Sequence, residues 1–430
     1  MSSPFPSVPA LAAAAAPSRT PSIAVLGGGI TGVTTAYALA LRGCAVTLYE
    51  RQRYAAMETS FANGGQLSAS NAEVWNRLST VLKGLKWLLR ADAPLRIAPR
   101  PGWHKLSWFA EFVAAIPQYE RHTVATARLA IAARRHLFAW AEAEGIDFGA
   151  RREGILHVYR DRAGFEHAGR VSALLARAGL ERRPVTPEEM RAIEPTLNGR
   201  FHGGWYTDSD ATGDIHQFTV GLARAAVERH GVEALFERCL ESVAHDAGGV
   251  TVRASASRRL AAGLGDRLNV YPVKGYSITV HLDDAASRAA APTVSLLDDE
   301  TKLVSSRLGE DRFRVAGTAE FDGENRDIRA ARIRPLVDWV RQGFPGVDTR
   351  RVVPWAGLRP MMPDMMPRVG RGRAPAVFYN TGHGHLGWTL SAATAEMVAD
   401  AVVGTLPAAV QVAMPLHRPL RLAVPGALPG

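Results

Sequence analysis

Cysteine, lysine and long apolar runs are all scarce in this sequence of 430 residues. The two cysteines, Cys44 and Cys239, are too few for a disulfide framework or a metal-ligand cluster, so we expect no metal site and a reducing, cytoplasmic setting. No stretch of about 18 to 20 apolar residues runs without a charge, which predicts that no segment crosses a membrane. These absences argue against a secreted disulfide scaffold and an integral membrane protein.

The net charge of +10 comes almost wholly from arginine. The lysines are only Lys83, Lys86, Lys105, Lys274 and Lys302. A basic surface attracts nucleic acid, anionic lipid or an anionic substrate. The arginines are scattered, however, and do not form one stripe with interleaved aromatic residues, so we predict no nucleic-acid partner.

The length and the ordinary balance of 47% hydrophobic and 21% charged residues indicate a globular protein of two domains. Residues 1–21 are mostly Ala, Pro and Ser and contain no basic segment before the alanine run. They predict a disordered leader rather than a secretory signal. Residues 406–430 are interpreted as a C-terminal tail.

A glycine loop lies between a short apolar strand, Ile23 to Leu26, and a helix that runs to Leu41. A second strand, Ala45 to Tyr49, ends at Glu50. This order is typical of a dinucleotide site, because glycines let the backbone approach a diphosphate at the positive end of the helix. Glu50 is placed to bind the adenosine ribose and would repel the 2′-phosphate of NADP. The pattern alone leaves FAD and NAD open. The predicted loop residues are Gly27, Gly28, Gly29, Ile30, Thr31 and Gly32.

Apolar and polar residues alternate, as they do in strands, in three later segments: Asn269 to Val280, Leu303 to Arg307 and Arg312 to Thr318. They predict an antiparallel sheet outside the first domain. A second strand, Phe378 to Thr381, enters a glycine-rich turn and a helix from Trp388 to Val403. This connection repeats the order of the first one: a strand, a glycine-rich turn and a helix.

Four separated segments carry a pattern that chance does not readily produce. They are Glu58-Thr59-Ser60-Phe61-Ala62-Asn63-Gly64-Gly65-Gln66, Tyr271 to Ser277, Trp355 to Asp364, and Asn380 to Thr389. In content and order they resemble the bacterial D-amino-acid dehydrogenases, a family of FAD-dependent amino-acid oxidoreductases related to the D-amino-acid and glycine oxidases. The resemblance extends from about Ile23 to about Val403.

The resemblance implies an α/β fold, in which a Rossmann-like FAD-binding domain is interleaved with an α+β substrate domain that contains an antiparallel sheet. It assigns 22–72, 196–266 and 350–405 to the FAD-binding domain, and 73–195 and 267–349 to the substrate domain. The implied reaction is the oxidative deamination of D-amino acids to 2-oxo acids and ammonia. FAD would be bound non-covalently, and electrons would pass to a quinone or another acceptor.

The resemblance also implies roles for single residues. Arg359 would clamp the substrate carboxylate, since a planar guanidinium does so with two hydrogen bonds. Tyr276 would add a hydroxyl to the same carboxylate or close the pocket, and His383 would assist at the flavin; a packed tyrosine and a structural histidine are the alternatives. The further cofactor-binding residues are Glu50, Arg51, Thr59, Ser60, Asn63, Gly64, Gly65, Gln66, Leu240, Gly382, Gly384, Leu386, Gly387, Trp388 and Thr389.

Two departures from the family pattern keep other functions open. After Arg253 about one strand with its turns is missing, so the sheet would either close up or leave backbone groups unpaired. That gap is compatible with a flavin-binding or degenerate protein without turnover. The second departure is His385, which stands where the family usually has threonine. A glycine or sarcosine type of oxidase that uses oxygen is a further alternative.

The segment from Trp75 to Arg90 has one apolar face with basic residues between. It could lie on the anionic inner membrane, which suits an enzyme that reduces quinone. The alternative is that the same face packs on the substrate domain.

Overall fold

The computed structural model describes residues 21–87, 94–99, 102–239, 243–246, 249–252, 257–374 and 376–404. The helices are α1 (Ile30–Leu41), α2 (Leu78–Trp87), α3 (Trp103–Ala114), α4 (Tyr119–Glu144), α5 (Arg162–Ala176), α6 (Pro187–Ile193), α7 (Ile215–His230), α8 (Ser257–Gly263), α9 (Ala285–Ala290), α10 (Ala330–Gly343) and α11 (Gly387–Gly404). Short 3-10 turns lie at Ile116–Gln118 and Gly384–Leu386. None of the helices in the described ranges has the length and apolar character that a membrane span requires.

The strands fall into one parallel sheet, one large mixed sheet and three two-stranded ladders. In chain order they are β1 (Ser22–Leu26), β2 (Ala45–Tyr49), β3 (Gln66–Leu67), β4 (Leu95–Ile97), β5 (Ile155–Tyr159), β6 (Arg183–Val185), β7 (Gly203–Thr207), β8 (Ala211–Thr212), β9 (Glu233–Leu235), β10 (Val243–Asp246), β11 (Gly249–Val252), β12 (Tyr271–His281), β13 (Ser295–Asp298), β14 (Leu303–Leu308), β15 (Arg312–Phe321), β16 (Val352–Met361), β17 (Arg368–Arg371) and β18 (Phe378–Thr381).

The parallel sheet has the order β1-β2-β9, and β1 pairs with β2 from Ser22↔Ala45 to Leu26↔Tyr49. Helix α1 carries three Ala, three Thr and two Leu and is mostly buried, because α7 and α11 pack against it and Trp140 of α4 contacts Tyr37. The shared core includes Tyr37, Phe218 and Trp388. This core holds the first strand, the glycine loop and the first helix as one unit.

The outer edge of β1 is open, since within the described ranges β2 is its only strand partner. The C-terminal strand β18 lies near α1, where the Asn380 side chain donates to Thr35 Oγ1 at 2.8 Å, but β18 pairs with β17 and not with β1. Leu26 is 38% exposed. Of the two outcomes expected of a missing strand, the structure therefore shows the unpaired edge.

The large sheet has the order β16-β12-β15-β14-β13-β5-β7-β6, with β4 beside β15. Most of its pairs are antiparallel, and the three strands predicted from alternation correspond to β12, β14 and β15. Helix α10 covers one face, where Leu336 and Val340 pack with Ile278 and Phe313. The opposite face of the sheet lies against residues 59–66. The site is built between this face and that segment.

The expected α/β fold with an antiparallel sheet is confirmed. Two details differ from the predicted division of the chain: β7 and β16 lie within segments assigned to the FAD-binding domain, yet they pair with β5 and β12 in the large sheet. Continuous ladders of backbone hydrogen bonds fix them there. Sequence motifs do not reveal such pairing, because partners in a sheet are distant along the chain.

Candidate active site

The glycine loop has the tight geometry that only glycine permits. Gly27 has φ +104°, a conformation that side chains rarely adopt. A Cβ on Gly32 would overlap the Gly27 carbonyl oxygen, and one on Gly28 would lie 3.0 Å from the Glu50 Cβ. Helix α1 begins directly after Gly29, which has no side chain of its own to cap the helix amides. The loop therefore offers backbone amides and a positive helix end to an anion.

Glu50 is buried at the end of β2 and reaches back over the loop. One carboxylate oxygen accepts from the Gly28 amide at 2.5 Å, and the other accepts from the Gln52 amide at 2.8 Å. These bonds hold the carboxylate beside the start of α1, where it is positioned to accept hydrogen bonds from ribose hydroxyls. Arg51 is exposed and forms an ion pair with Glu58 at 2.6 Å.

The segment Thr59 to Gln66 joins the glycine loop to the large sheet. Ser60 Oγ accepts from the Ile30 amide at 2.9 Å, and Thr59 Oγ1 donates to the Leu358 carbonyl at 2.8 Å. Asn63 Oδ1 accepts from the Gly65 amide at 2.8 Å, which closes the predicted polar turn. The Gln66 side chain instead donates to Ser295 and Leu296, so it faces the sheet.

The turn Gly382 to Gly387 brings the start of α11 to the same place. Gly382 and Gly384 have φ of +80° and +59°, and Leu386 is buried. Thr389 Oγ1 donates to the Gln66 carbonyl at 3.4 Å. Trp388 is buried against Phe148 and Phe218, so it anchors the helix and does not line the site. Leu240 lies outside the described residues.

Four segments thus converge in the structure: the glycine loop, the first turn of α1 with Thr31, residues 59–66, and the start of α11. The glycine cradle, the positive helix end and the buried ribose-binding carboxylate fit the diphosphate and ribose of FAD. The residues that would hold the cofactor come from segments more than 300 residues apart in the chain, and they meet over one face of the large sheet.

Arg359 lies on that face of the sheet. Its guanidinium sits over Gly275, where any Cβ would overlap it, and it donates to the carbonyls of Thr318 at 2.7 Å and Gly317 at 3.4 Å. Among the described residues no carboxylate pairs with it. Burial lowers the pKa of Arg359 to about 10, so the group stays charged at neutral pH. A buried cation without an anion is a site for an anionic group of a ligand.

Thr318 sits in a bulge of β15 opposite β12 and has φ +57°. A left-handed conformation is unusual for a β-branched residue, and its cost is typical of functional sites. The bulge turns the carbonyls of Gly317 and Thr318 toward Arg359. No sequence signal marks this residue, because threonine is a residue that patterns do not assign to a left-handed turn.

Tyr276 is not brought to Arg359, and its side chain takes the packed position that was the alternative to a contact with the substrate carboxylate. β12 pairs with β16 without interruption, so its side chains alternate regularly, and Gly275 faces Arg359. Tyr276 therefore points to the α10 side, where its hydroxyl donates to Glu320 at 2.7 Å. Lys274 shares that face and lies 3.4 Å from the same carboxylate. Burial, with Glu320 beside it, raises the pKa of Tyr276 above its usual value.

His383 packs against α11. Its ring is buried, and Nε2 lies 2.9 Å from the Thr394 hydroxyl within α11. Burial lowers the pKa of His383 to about 4. The arrangement indicates that His383 fixes the turn against the helix, the structural alternative considered for it.

His385 and Trp75 are the site residues that sequence reasoning missed. The two rings stack with centroids 4.8 Å apart and planes 23° apart. The sequence did mark His385 as a departure from the family pattern, but it gave no sign of the partner, which lies about 300 residues earlier.

Fold and site together define a flavin-dependent oxidoreductase, with a dinucleotide cradle beside an anion clamp. The family model for FAD dependent oxidoreductases matches residues 22–401, and the chain belongs to this family. The predicted cofactor, FAD, and the predicted enzymatic class are thereby confirmed.

Similar proteins include "D-amino acid dehydrogenase 3" of Mesorhizobium japonicum, 60% identical over 405 residues, which cover 90% of this chain and 98% of that protein. The D-amino acid dehydrogenase of Paramagnetospirillum magneticum is 42% identical over 409 residues, covering 89% of this chain and 95% of that one. The predicted resemblance is confirmed. The 405 aligned positions take in 90% of 430 residues, about 387, so about 18 positions face a gap in this chain.

Solved structures share the fold. Glycine oxidase from Geobacillus kaustophilus superposes with a TM-score of 0.68 at 20% identity, covering 90% of this chain and 95% of that one. L-proline dehydrogenase from P.horikoshii gives 0.69 at 17% identity, covering 92% and 96%. At these identities the likeness concerns the fold alone.

Proposed function

We propose that this enzyme oxidises D-amino acids to 2-oxo acids and ammonia and delivers the electrons to a quinone at a membrane surface. The observation that carries the amino-acid part is Arg359, a buried guanidinium without a carboxylate partner among the described residues, beside the predicted flavin site. The names of the relatives at 60% and 42% identity support the D-enantiomer.

The chain's own residues bind and orient the substrate. Arg359 holds the substrate carboxylate, and the carbonyls of Gly317 and Thr318 fix the guanidinium so that its remaining N–H groups face the ligand. FAD, when bound, would supply the acceptor for the hydride of the substrate Cα–H. The start of α11 directs its positive end at the region of Gln66, where it would stabilise negative charge on a reduced cofactor.

We further propose that FAD is held by the predicted segments 22–72, 196–266 and 350–405, less β7 and β16, and that the amino acid is enclosed by 73–195 and 267–349. Two bonds support this division: the Ile30 amide donates to Ser60 within the segment 22–72, and Thr59 donates to the Leu358 carbonyl, which joins that segment to β16 of the large sheet.

The membrane contact is supported by exposed apolar side chains on α2 and α3. Leu78 and Leu82 of α2 are 63% and 52% exposed, and Trp103 of α3 is 83% exposed. The inner faces of both helices are anchored in one core cluster, through Val81 and Trp108. An apolar ridge of this kind, with the exposed Lys83 beside it, fits an anionic bilayer surface.

The test of the reaction is the visible spectrum of the purified, FAD-loaded protein under anaerobic conditions. D-alanine should bleach the flavin band, and L-alanine at the same concentration should not. Equal bleaching by both enantiomers, or by neither, overturns the proposed substrate class. Rapid reoxidation of the bleached enzyme by oxygen, with slow turnover of a quinone, would replace the quinone by oxygen as acceptor.

The membrane part is tested by co-sedimentation with vesicles of phosphatidylglycerol and phosphatidylcholine. The parent protein should sediment at low salt, and the double variant Leu82→Glu, Trp103→Ser should stay in solution. Val227→Ser on α7 is the matched control, since Val227 is exposed on another helix. Sedimentation that is equal in all three proteins would exclude the ridge.

A further inference from the structure

Both ring nitrogens of His385 are buried, and neither has a partner at good hydrogen-bond geometry among the described residues, although the backbone of Asn71 lies near the ring. His385 lies in the 3-10 turn Gly384–Leu386, and its ring is stacked on Trp75. His383 in the same turn makes an informative contrast, because its Nε2 is paired with Thr394. The turn can therefore satisfy a histidine, and His385 is the one left unsatisfied.

The ring of His385 is neutral. Burial, together with the charge of Arg359, lowers the pKa of His385 to about 4, and an interaction with the backbone of Asn71 opposes the shift. A neutral imidazole offers one N–H donor and one acceptor. Buried polar groups in native proteins are nearly always paired, so an unpaired donor and acceptor in a site call for a ligand group.

His385 is next to the carboxylate clamp. Met361 forms a backbone bridge with His383, and a Cβ on Gly384 would touch the Met361 side chain at 3.4 Å. Arg359 and Met361 are two residues apart on β16, so their side chains share one face of the sheet. The imidazole and the guanidinium thus border the same space.

We propose that His385, held flat by Trp75, recognises a hydrogen-bonding group in the side chain of the amino-acid substrate. The proposal rests on the proposed function, in which Arg359 holds the carboxylate. The substrate ammonium is a poor partner for His385, because Arg359 already places a positive charge beside it. A hydroxyl or a carboxamide can pair with either tautomer of the ring, so the enzyme prefers short polar D-amino acids to apolar ones of equal size.

The first test compares D-serine with D-2-aminobutyrate, which differ by a hydroxyl in place of a methyl. We expect the parent to favour D-serine about tenfold in kcat/KM, and His385→Leu to reduce the ratio to about twofold or less. His385→Thr serves as second variant if the leucine protein does not fold. His281→Leu, six residues beyond Gly275 on β12, is the matched control and should keep the preference.

The second test needs no turnover. Calorimetric binding of 3-hydroxypropanoate and butanoate, which carry the carboxylate but no amine, should show the same preference in the parent and its loss in the His385 variants. A preference that is absent in the parent, or that survives in both variants, overturns the proposal. If no D-amino acid bleaches the flavin yet the binding preference behaves as expected, the proposed reaction fails while the recognition by His385 stands.

Discussion

Replacing Arg359 by methionine should damage substrate binding and stabilise the substrate-free protein at the same time. The guanidinium is buried, hydrogen-bonded only to two carbonyls, and without a carboxylate partner among the described residues. Methionine has a similar reach and would lie against Val273 and Met361, which are fully buried and apolar. The two effects have opposite signs because the charge is useful only when substrate is present.

The magnitudes follow from the geometry. Truncating one partner of a buried, hydrogen-bonded charge pair costs about 2 to 5 kcal/mol, or roughly thirty- to several-thousand-fold in kcat/KM, mostly through KM. In the free protein, removal of a desolvated charge is offset by the loss of two hydrogen bonds worth about 1 kcal/mol each. Burial lowers the pKa of Arg359 to about 10, so desolvation disfavours its charged form, and we expect this cost to exceed the two bonds. We expect the free energy of unfolding to rise by about 1 kcal/mol.

The assays are steady-state kinetics with D-alanine and urea unfolding without substrate. Arg359→Lys should fall between the parent and the methionine variant in KM, because it keeps the charge and loses the planar pair of donors. Arg350→Met is the control: the Arg350 side chain is 91% exposed and pairs with Asp348, so both KM and stability should stay within error. A KM for Arg359→Met within twofold of the parent, or a loss of stability of several kcal/mol, would refute the clamp.

Four further outcomes follow from the described contacts. Tyr276→Phe should leave KM within twofold and lower the free energy of unfolding by about 1 to 2 kcal/mol, because Glu320 loses a donor; a large rise in KM would return Tyr276 to the substrate. Thr318→Gly should raise stability in urea by about 1 kcal/mol by relieving the positive φ, and no gain would mean that the bulge is unstrained. The pKa of His383 lies near 4 in the folded protein and near 6.5 in the unfolded chain, so the unfolded chain takes up a proton first as the pH falls. Between pH 7 and 5 the free energy of unfolding, measured in urea, should therefore fall by about 2 kcal/mol more in the parent than in His383→Gln. Equal losses in the two proteins would contradict the lowered pKa. Insertion after Arg253 of a strand of about five to six residues with its turns should raise the melting temperature in calorimetry yet leave FAD affinity within about threefold; a large gain in FAD affinity would mean that the open edge of β1 weakens the cofactor site.

The glycine loop and the strands β12 and β14 were predictable, because their signals are local. A tight turn that excludes side chains needs glycine wherever it occurs, and a half-buried strand alternates whatever it pairs with. Arg359 was found only through its motif, since nothing local distinguishes it from the other arginines. In the structure it lies next to Leu358, whose carbonyl accepts from Thr59 of a predicted cofactor segment.

Tyr276 shows why a motif does not give the face of a strand. Gly275 and Tyr276 are neighbours in one block, and their side positions necessarily point to opposite faces. The block alone does not say which of the two faces Arg359, because that depends on the register between β12 and β16. His385 and Trp75 were out of reach for a similar reason, since their contact joins two segments that are adjacent only after folding.

The open edge of β1 need not weaken the cofactor site, because the bonds that shape the loop lie on the other side of the strand. The Gly27 amide donates to the Tyr49 carbonyl at 2.8 Å, and the Glu50 amide donates to the Leu235 carbonyl at 2.9 Å. Both bonds run toward β2 and β9, away from the missing neighbour. The missing strand therefore leaves backbone groups of β1 unpaired and Leu26 exposed, and both effects lower the stability of the fold. The hydrogen bonds that shape the glycine loop remain in place.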